Sequence, residues 1–432
     1  MDTSKYQPAR LIPVTGIKGE QDQERRATSA LLAAFVGVPE FARTVLKLVG
    51  APVGRIQTFI EPEFKTETKT IRPDGLITVE RAGKTWAALV EVKTSKNRLG
   101  TDQINSYLEL ARVNKLDGVI TISNEMVGFS GEHPTQGIDG RKLKSTFLAH
   151  FSWVRLVTLA IVQSEFTIVS DPDQAWILRE LIRFLQHEAS GANEFDDMGM
   201  HWVGVREAVS DGTIMASDKR LPEILHNFDG LMTYAAFRLS ARLGVTSERV
   251  VTRLAKTDPK KYRSNELATF LQSWSLQGVI RIPGAASDLS VVADLKAGES
   301  VCSLSISAPQ EGKNATRLSW LVKQLKDAPD SVRVDVYTKH ARSVDASALL
   351  GHIRESPQRA LPDASREVSH FVVSLSTKLG SKRGSGKGTF ISSVIDGIEN
   401  FYASVLQPLK DWQGKAPKLS EVITDLLPEI SE

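Results

Sequence analysis

The sequence predicts an α/β protein, and three observations carry that reading. An apolar run, Trp86-Ala87-Ala88-Leu89-Val90, ends on Glu91-Val92-Lys93; amphipathic helical patterns flank it; and beyond Gly278 short strand patterns alternate with helical ones. Ala87 to Val92 is almost continuously apolar, which is the pattern of a strand covered on both faces. Glu91 and Lys93 stand two apart, so alternation puts both on one face and Val92 on the other. Upstream, Thr70 to Glu80 alternates as a partner strand and carries Asp74 within Arg72-Pro73-Asp74-Gly75. Arg81-Ala82-Gly83-Lys84 supplies a short polar turn with the glycine a hairpin favours. Antiparallel pairing then brings Asp74 beside Glu91.

The neighbouring elements follow in order. A helix is expected from about Glu20 to Phe35, where steps of three and four from Glu24 meet Ala27, Leu31 and Ala34 and place the acid in line with the apolar stripe. Arg55 to Phe64 reads as a first strand bearing Glu61 and Glu63. After Lys93, Thr101 or Asp102 can cap a helix running to about Val113, with Gln103 and Tyr107 four apart on one face. Asp117 to Ser123 reads as another buried strand, and Phe147 to Trp153 begins a further element on the sheet.

Helix, three strands, helix, strand is an order that resembles the core of the PD-(D/E)XK nuclease superfamily. Asp74, Glu91 and Lys93 match its motif, and Gln103-Ile104-Asn105-Ser106-Tyr107 is similar to the Gln-x-x-x-Tyr motif of its RecB-like branch. The resemblance implies a divalent-metal-dependent deoxyribonuclease, with RNA not excluded as substrate, acting in DNA repair or in defence against foreign DNA. It implies Asp74, Glu91 and the Val92 carbonyl as ligands of Mg²⁺ or Mn²⁺, and Lys93 as the group that orients the attacking water or stabilises developing charge. Hard cations prefer such oxygen ligands, and lysine is a compact charge suited to that task. Gln103 would help hold the nucleic-acid strand or a catalytic water, with Tyr107 beside it. Glu24 resembles the helix-borne glutamate of some members; Glu20 and Glu63 are the alternatives for that accessory role. The alternative from another class is a scaffold with the same fold that binds nucleic acid or protein without cutting.

Acid-x-Lys recurs by chance in a chain that is 24% charged, so position decides. Asp294-Leu295-Lys296 also ends an apolar strand, but Gly298 and a further strand come after it in place of a glutamine-bearing helix.

Composition narrows the class further. Hydrophobic content of 41% over 432 residues gives core for two or three domains. Fifty-four basic and 51 acidic residues leave a formal charge of +3, so any nucleic-acid surface is local. Cys302 is the single cysteine and the eight histidines show no His-x-x-x-His pair, which argues against a disulfide framework and structural zinc. A polar N-terminus and no long apolar run predict a cytoplasmic protein without membrane contact.

Three regions are expected: a nuclease-like domain at 1–165, a helical region at 166–276, and a separate α/β domain at 277–432 for targeting or partner binding, homo-oligomer contacts included. In the middle region Gln174 to Glu188 is a core-facing helix, and Ala241 to Leu254 resembles a helix-turn-helix with Arg249 and Arg253 facing outward. In the last region helices are expected at Thr316–Lys326, Ala346–Arg354 and Thr389–Leu406 between strands. The basic stretch carrying Lys378, Lys382, Arg383 and Lys387 is not a P-loop, because Ser381 stands where the first glycine belongs and Gly388 where Ser or Thr belongs. Its lysines and arginine are nevertheless candidates for gripping a phosphate backbone.

Overall fold

The structure is a computed structural model of the 432-residue chain and describes residues 9–65, 70–129, 131–167, 169–192, 194–363, 365–382, 384 and 386–412. It is a mixed α/β protein. Helices α1 (Glu20–Gly37) and α2 (Pro39–Lys47) lead into strands β1 (Arg55–Ile60), β2 (Phe64–Lys65), β3 (Thr70–Ile71), β4 (Gly75–Arg81) and β5 (Lys84–Val92). Helix α3 (Thr101–Val113), strands β6 (Gly118–Ser123) and β7 (Phe147–Ser152) and helix α4 (Trp153–Glu165) come next. Five of these strands form one sheet in the order β1-β4-β5-β6-β7. The first three are antiparallel neighbours, whereas β6 and β7 run parallel to β5.

The hairpin between β4 and β5 turns through Ala82 and Gly83, both with positive φ (47° and 75°), as a two-residue turn of type I′ requires. That turn sets the register, with Gly75 opposite Val90, so Asp74 falls beside Glu91 as the sequence predicts. Gly75 is itself required: a Cβ there would lie 2.6 Å from Leu32 Cδ1 on α1. The sheet buries both faces. Ile77, Val79, Ala88, Val90, Val92, Ile120 and Ile122 pack with α1, α2, α4 and α5 (Pro172–Leu185), while Leu89 and Val119 pack with Ile104, Tyr107, Leu108 and Ala111 of α3.

The remaining elements are α6 (Trp202–Ser210), α7 (Leu221–Leu243), β8 (Glu248–Arg249), α8 (Arg253–Thr257), α9 (Pro259–Ser273), β9 (Ser275–Arg281), β10 (Leu289–Asp294) and β11 (Glu299–Ser307). Then come α10 (Asn314–Gln324), β12 (Arg333–Thr338), β13 (Ala346–Leu349), α11 (Leu350–Glu355), β14 (Val368–Lys378) and α12 (Phe390–Phe401). Two compact units partition the chain. One comprises Met1–Gly284, Asp288–Cys302 and Ser376–Asn400, and the other Ala285–Ser287, Ser303–Leu375 and Phe401–Glu432. The division falls inside β11 and β14, not at residue 277. Within the first unit β9 pairs antiparallel with both β8 and β10; within the second, β12 pairs antiparallel with β13 and β14. Among the described residues no single helix is long and apolar enough to cross a membrane.

Four local expectations need correcting. Strand β1 ends at Ile60 because Glu61 has φ 46°. Helix α3 starts after Gly100 with no side-chain cap, and Thr101 Oγ1 donates instead to the Gln136 carbonyl at 2.9 Å. The span 346–354 is strand β13 followed by α11, since Ala346–Leu349 completes a ladder on β12. The helix-turn-helix reading of Ala241–Leu254 also fails: α7 ends at Gly244 and the next residues form β8 on β9. Its Arg249 side chain is 4% exposed, ion-paired to buried Asp229, and donates to the Gly128 carbonyl and the Tyr262 hydroxyl at 3.0 Å each. Arg263 pairs with the same aspartate.

Truncating one member of such a buried ionic network exposes the others to an uncompensated charge. Arg249→Ala should therefore lower unfolding free energy by about 3–5 kcal/mol in urea titrations. A cost below about 0.5 kcal/mol, usual for a surface site, would return Arg249 to an outward-facing role.

Candidate active site

Three elements converge at the carboxyl end of β5. Antiparallel pairing with β4 brings the Asp74 carboxyl to the end of that strand, where its Oδ2 accepts from the Val92 N–H at 2.7 Å. Glu91, 1% exposed, points to the α3 face with Lys93 beside it, and the Lys93 ammonium lies 2.7 Å from Glu91 Oε1. From α3, Gln103 Nε2 donates to the same Oε1 at 2.7 Å. Helix α1 contributes Glu24, whose Oε2 is 3.5 Å from the Lys93 ammonium. Asp74, Glu91, Lys93, Gln103 and Glu24 are thus brought together from four separate segments.

The two oxygens of Glu91 are used unequally. Oε1 takes both Lys93 and Gln103, whereas buried Oε2 has no hydrogen-bond donor among the described residues. The Asp74 carboxyl is close enough for its charge to act on Glu91, and when ionised it is an acceptor. Burial, and then the like charge of Asp74, push the Glu91 carboxyl up to about 7 against the opposing pull of Lys93. Asp74 is raised as well, by burial, with the Val92 N–H and Lys93 opposing. For Lys93, burial works downward, but Glu91, Glu24 and Asp74 outweigh it and raise its value. The lysine is therefore held as a cation, not as a neutral amine.

A hard divalent cation fits this donor set. An orphaned carboxylate oxygen beside a second carboxyl is what Mg²⁺ or Mn²⁺ ligates, and Mg²⁺ keeps several waters while taking only one or two carboxylates. Among the described residues no three His, Cys, Asp or Glu side chains form a metal-holding group by themselves, so backbone oxygen and water would complete the shell.

Several expected residues lie elsewhere or act otherwise. Tyr107 is 5% exposed, and its hydroxyl meets Gln103 at 3.2 Å and the Arg72 carbonyl at 3.5 Å. It is placed to brace Gln103, with little surface left for nucleic acid. Glu20 is exposed at the start of α1, and Glu63 is an exposed partner of Arg72. Lys378, Lys382 and Lys387 are exposed, while Arg383 lies outside the described residues. The hydroxyls of Thr389 and Ser392 cap the start of α12 reciprocally, each accepting from the other's backbone N–H at 3.2 Å.

Sequence reasoning missed Asn97, which holds Glu24, and a buried relay beside the site. Thr121 pairs in register with Glu91 on one side and His150 on the other. The Thr135 N–H donates to His133 Nδ1, and His133 Nε2 meets Thr121 Oγ1 at 2.9 Å. That hydroxyl lies 3.1 Å from His150 Nδ1, and His150 Nε2 reaches the Glu125 carbonyl at 2.9 Å. A carbonyl only accepts, so His150 carries its proton on Nε2 and its Nδ1 is an acceptor, one of two beside the Thr121 hydroxyl, which also reaches the Ala149 carbonyl at 3.2 Å. Burial pushes His133 down to about 4 and His150 down to about 3, so both rings are neutral and pin the 124–135 loop. No spacing in the sequence signals this set.

No protein-family model matches the chain, and no curated protein matches it.

The raised Glu91 value has a stability consequence. A carboxyl that keeps its proton longer when folded stabilises the folded state fully below its ordinary value, about 4.5, and loses that contribution as pH rises through about 7. Without divalent metal, the wild type should lose up to about 3 kcal/mol relative to Glu91→Gln between pH 4.5 and 8. Urea titrations of both proteins at the two pH values measure it; a difference that does not move with pH refutes the burial argument.

Proposed function

We propose that the chain is a divalent-metal-dependent nuclease that hydrolyses DNA phosphodiester bonds and that it resembles the RecB-like branch of the PD-(D/E)XK superfamily in motif and order. The observation that carries this reading is Glu91: a buried carboxylate beside Asp74, anchored on one oxygen by Lys93 and Gln103 and left without a donor on the other. The order α1, antiparallel β1-β4-β5, α3 and parallel β6 supports it.

Asp74, Glu91 and the Val92 carbonyl would hold Mg²⁺ or Mn²⁺, which supplies Lewis-acid polarisation and a nucleophilic water at neutral pH. The chain's own residues do the rest. Lys93, kept charged by its three carboxylate neighbours, offsets negative charge developing on the phosphate and orients the attacking water. Gln103, braced by Tyr107, fixes the Glu91 carboxyl with Oε1 bound to Gln103 and the lysine and Oε2 left open. DNA repair and defence against foreign DNA are both settings for such an activity, and RNA offers the same phosphodiester chemistry.

Purified protein should cut labelled linear, circular or single-stranded DNA, or matching RNA, with Mg²⁺ or Mn²⁺ and not with EDTA. Asp74→Ala, Glu91→Ala and Lys93→Ala should each leave a folded protein whose cleavage falls by at least about 10²-fold. Activity that persists in EDTA, or an acid removable without effect, sinks the assignment.

The second unit would serve partner binding, and the basic stretch at 378–387, which belongs to the first unit, substrate recognition. Replacing Lys378, Lys382, Arg383 and Lys387 together with Ser should weaken nucleic-acid binding and flatten log affinity against log salt by roughly 0.9 per lost phosphate contact. Unchanged affinity and slope would remove this loop from the binding surface and favour a protein or oligomer contact for that region.

A further inference from the structure

Both oxygens of Glu24 are committed within the protein: Oε1 accepts from Asn97 Nδ2 at 2.7 Å, and Oε2 faces the Lys93 ammonium at 3.5 Å. Asn97 sits on the turn that comes after Lys93, and that turn is fixed from every side. Its backbone N–H donates to the Thr94 carbonyl at 3.1 Å. Ser95, with φ 55°, donates its N–H to the Gly191 carbonyl at 2.8 Å and its hydroxyl to Gln23 Oε1 at 2.7 Å. Asn124 Nδ2 donates to the Ser95 carbonyl at 2.9 Å. Gly191 permits the approach, since a Cβ there would lie 2.8 Å from Thr94 Cβ and its φ is +72°.

Resting on the nuclease reading above, we propose that Asn97 is a positioning residue and that Glu24 is an orienter of Lys93 and not a metal ligand. A lysine has four rotatable bonds and a single point charge. With Glu91 as its only acid, the ammonium, 2.7 Å from Glu91 Oε1, would be free to swing about that one contact. The longer contact to Glu24, at 3.5 Å, sets the direction in which the ammonium leaves Glu91 without binding it as tightly. Glu24 can do this only while its own rotamer is set, and Asn97 sets it. Because Nδ2 donates, aspartate at this position would repel the carboxylate it now holds.

Three measurements test the proposal on the full-length protein. Mn²⁺ affinity by calorimetry should be unchanged within about twofold in Glu24→Gln and Asn97→Ala, and lost in Glu91→Gln. Single-turnover cleavage at saturating metal should fall by about tenfold to a hundredfold in Glu24→Gln and in Asn97→Ala, as a small misplacement of a catalytic group does. The double variant should fall no further, since residues acting through one contact are not additive. Asn97→Asp should be no better than Asn97→Ala. Without metal or nucleic acid, labelling by an amine-reactive reagent should rise several-fold at Lys93 in Asn97→Ala, with exposed Lys47 and Lys115 unchanged and Tm retained. Multiplicative losses, a Mn²⁺ affinity reduced tenfold or more by Glu24→Gln, or Lys93 labelling unchanged in Asn97→Ala would each overturn it. If the wild type neither binds Mn²⁺ nor cuts, the nuclease reading fails and the labelling comparison alone decides whether Asn97 positions the lysine.

Discussion

The contact between Glu91 and Lys93 is the constraint around which the sheet is arranged. A carboxylate taken out of water costs several kcal/mol unless something positive or donating replaces the solvent. Here Lys93 and Gln103 share one oxygen, and none of the described residues donates to the other. Apolar side chains of similar volume would hold the strand end as well or better, because replacing a buried ion pair as a unit is often neutral or stabilising. Packing therefore does not account for these residues, whereas it accounts fully for Val90 and Val92 on the opposite face.

Placing that contact depends on register. Slipping β5 by one residue would turn Glu91 and Lys93 into the cluster of Leu31, Phe35 and Ile122, and bring Val92 toward α3. The two left-handed residues of the hairpin, the missing Cβ at Gly75 and the parallel ladder to β6 all oppose such a slip. Once the register is set, α3 can deliver Gln103 from one side and α1 can deliver Glu24 from the other. The gathering of these polar groups at one strand end is thus a property of the whole layer arrangement.

Legibility in the sequence tracks the range of the signal. The apolar run of β5, the turn after Arg81 and the stripe of α1 are local patterns, and each appears where the sequence predicts it. Asp74 beside Glu91 is legible because a hairpin converts a local turn into a contact. The helix-turn-helix pattern misleads for the opposite reason. Gly244 does end a helix, but the path of the chain beyond it is decided by β9 and by Asp229, neither of which is near in sequence. Ala346–Leu349 has helical propensity and became a strand because β12 offered a free edge. Asn97 and the Thr121 relay leave no trace, since single polar residues acquire a role only through partners far away in the chain.

Two buried sets of charges in the first unit show why one reads as structural and the other as chemical. Around Asp229, the acids Glu132 and Glu266 and the bases Arg249 and Arg263 interlock, and both Asp229 oxygens are taken by guanidinium groups. Three acids face two bases there, and the excess sits on the two glutamates, which are partly open to water. At the end of β5, Asp74, Glu91 and Glu24 face only Lys93, and the excess falls on a carboxylate that water does not reach. In metal-free protein the strain is relieved by a proton, which is what the upward shift of Glu91 to about 7 expresses. The divalent cation proposed above would carry the two positive charges that bring the four groups to neutrality, and would then compete with that proton for one place.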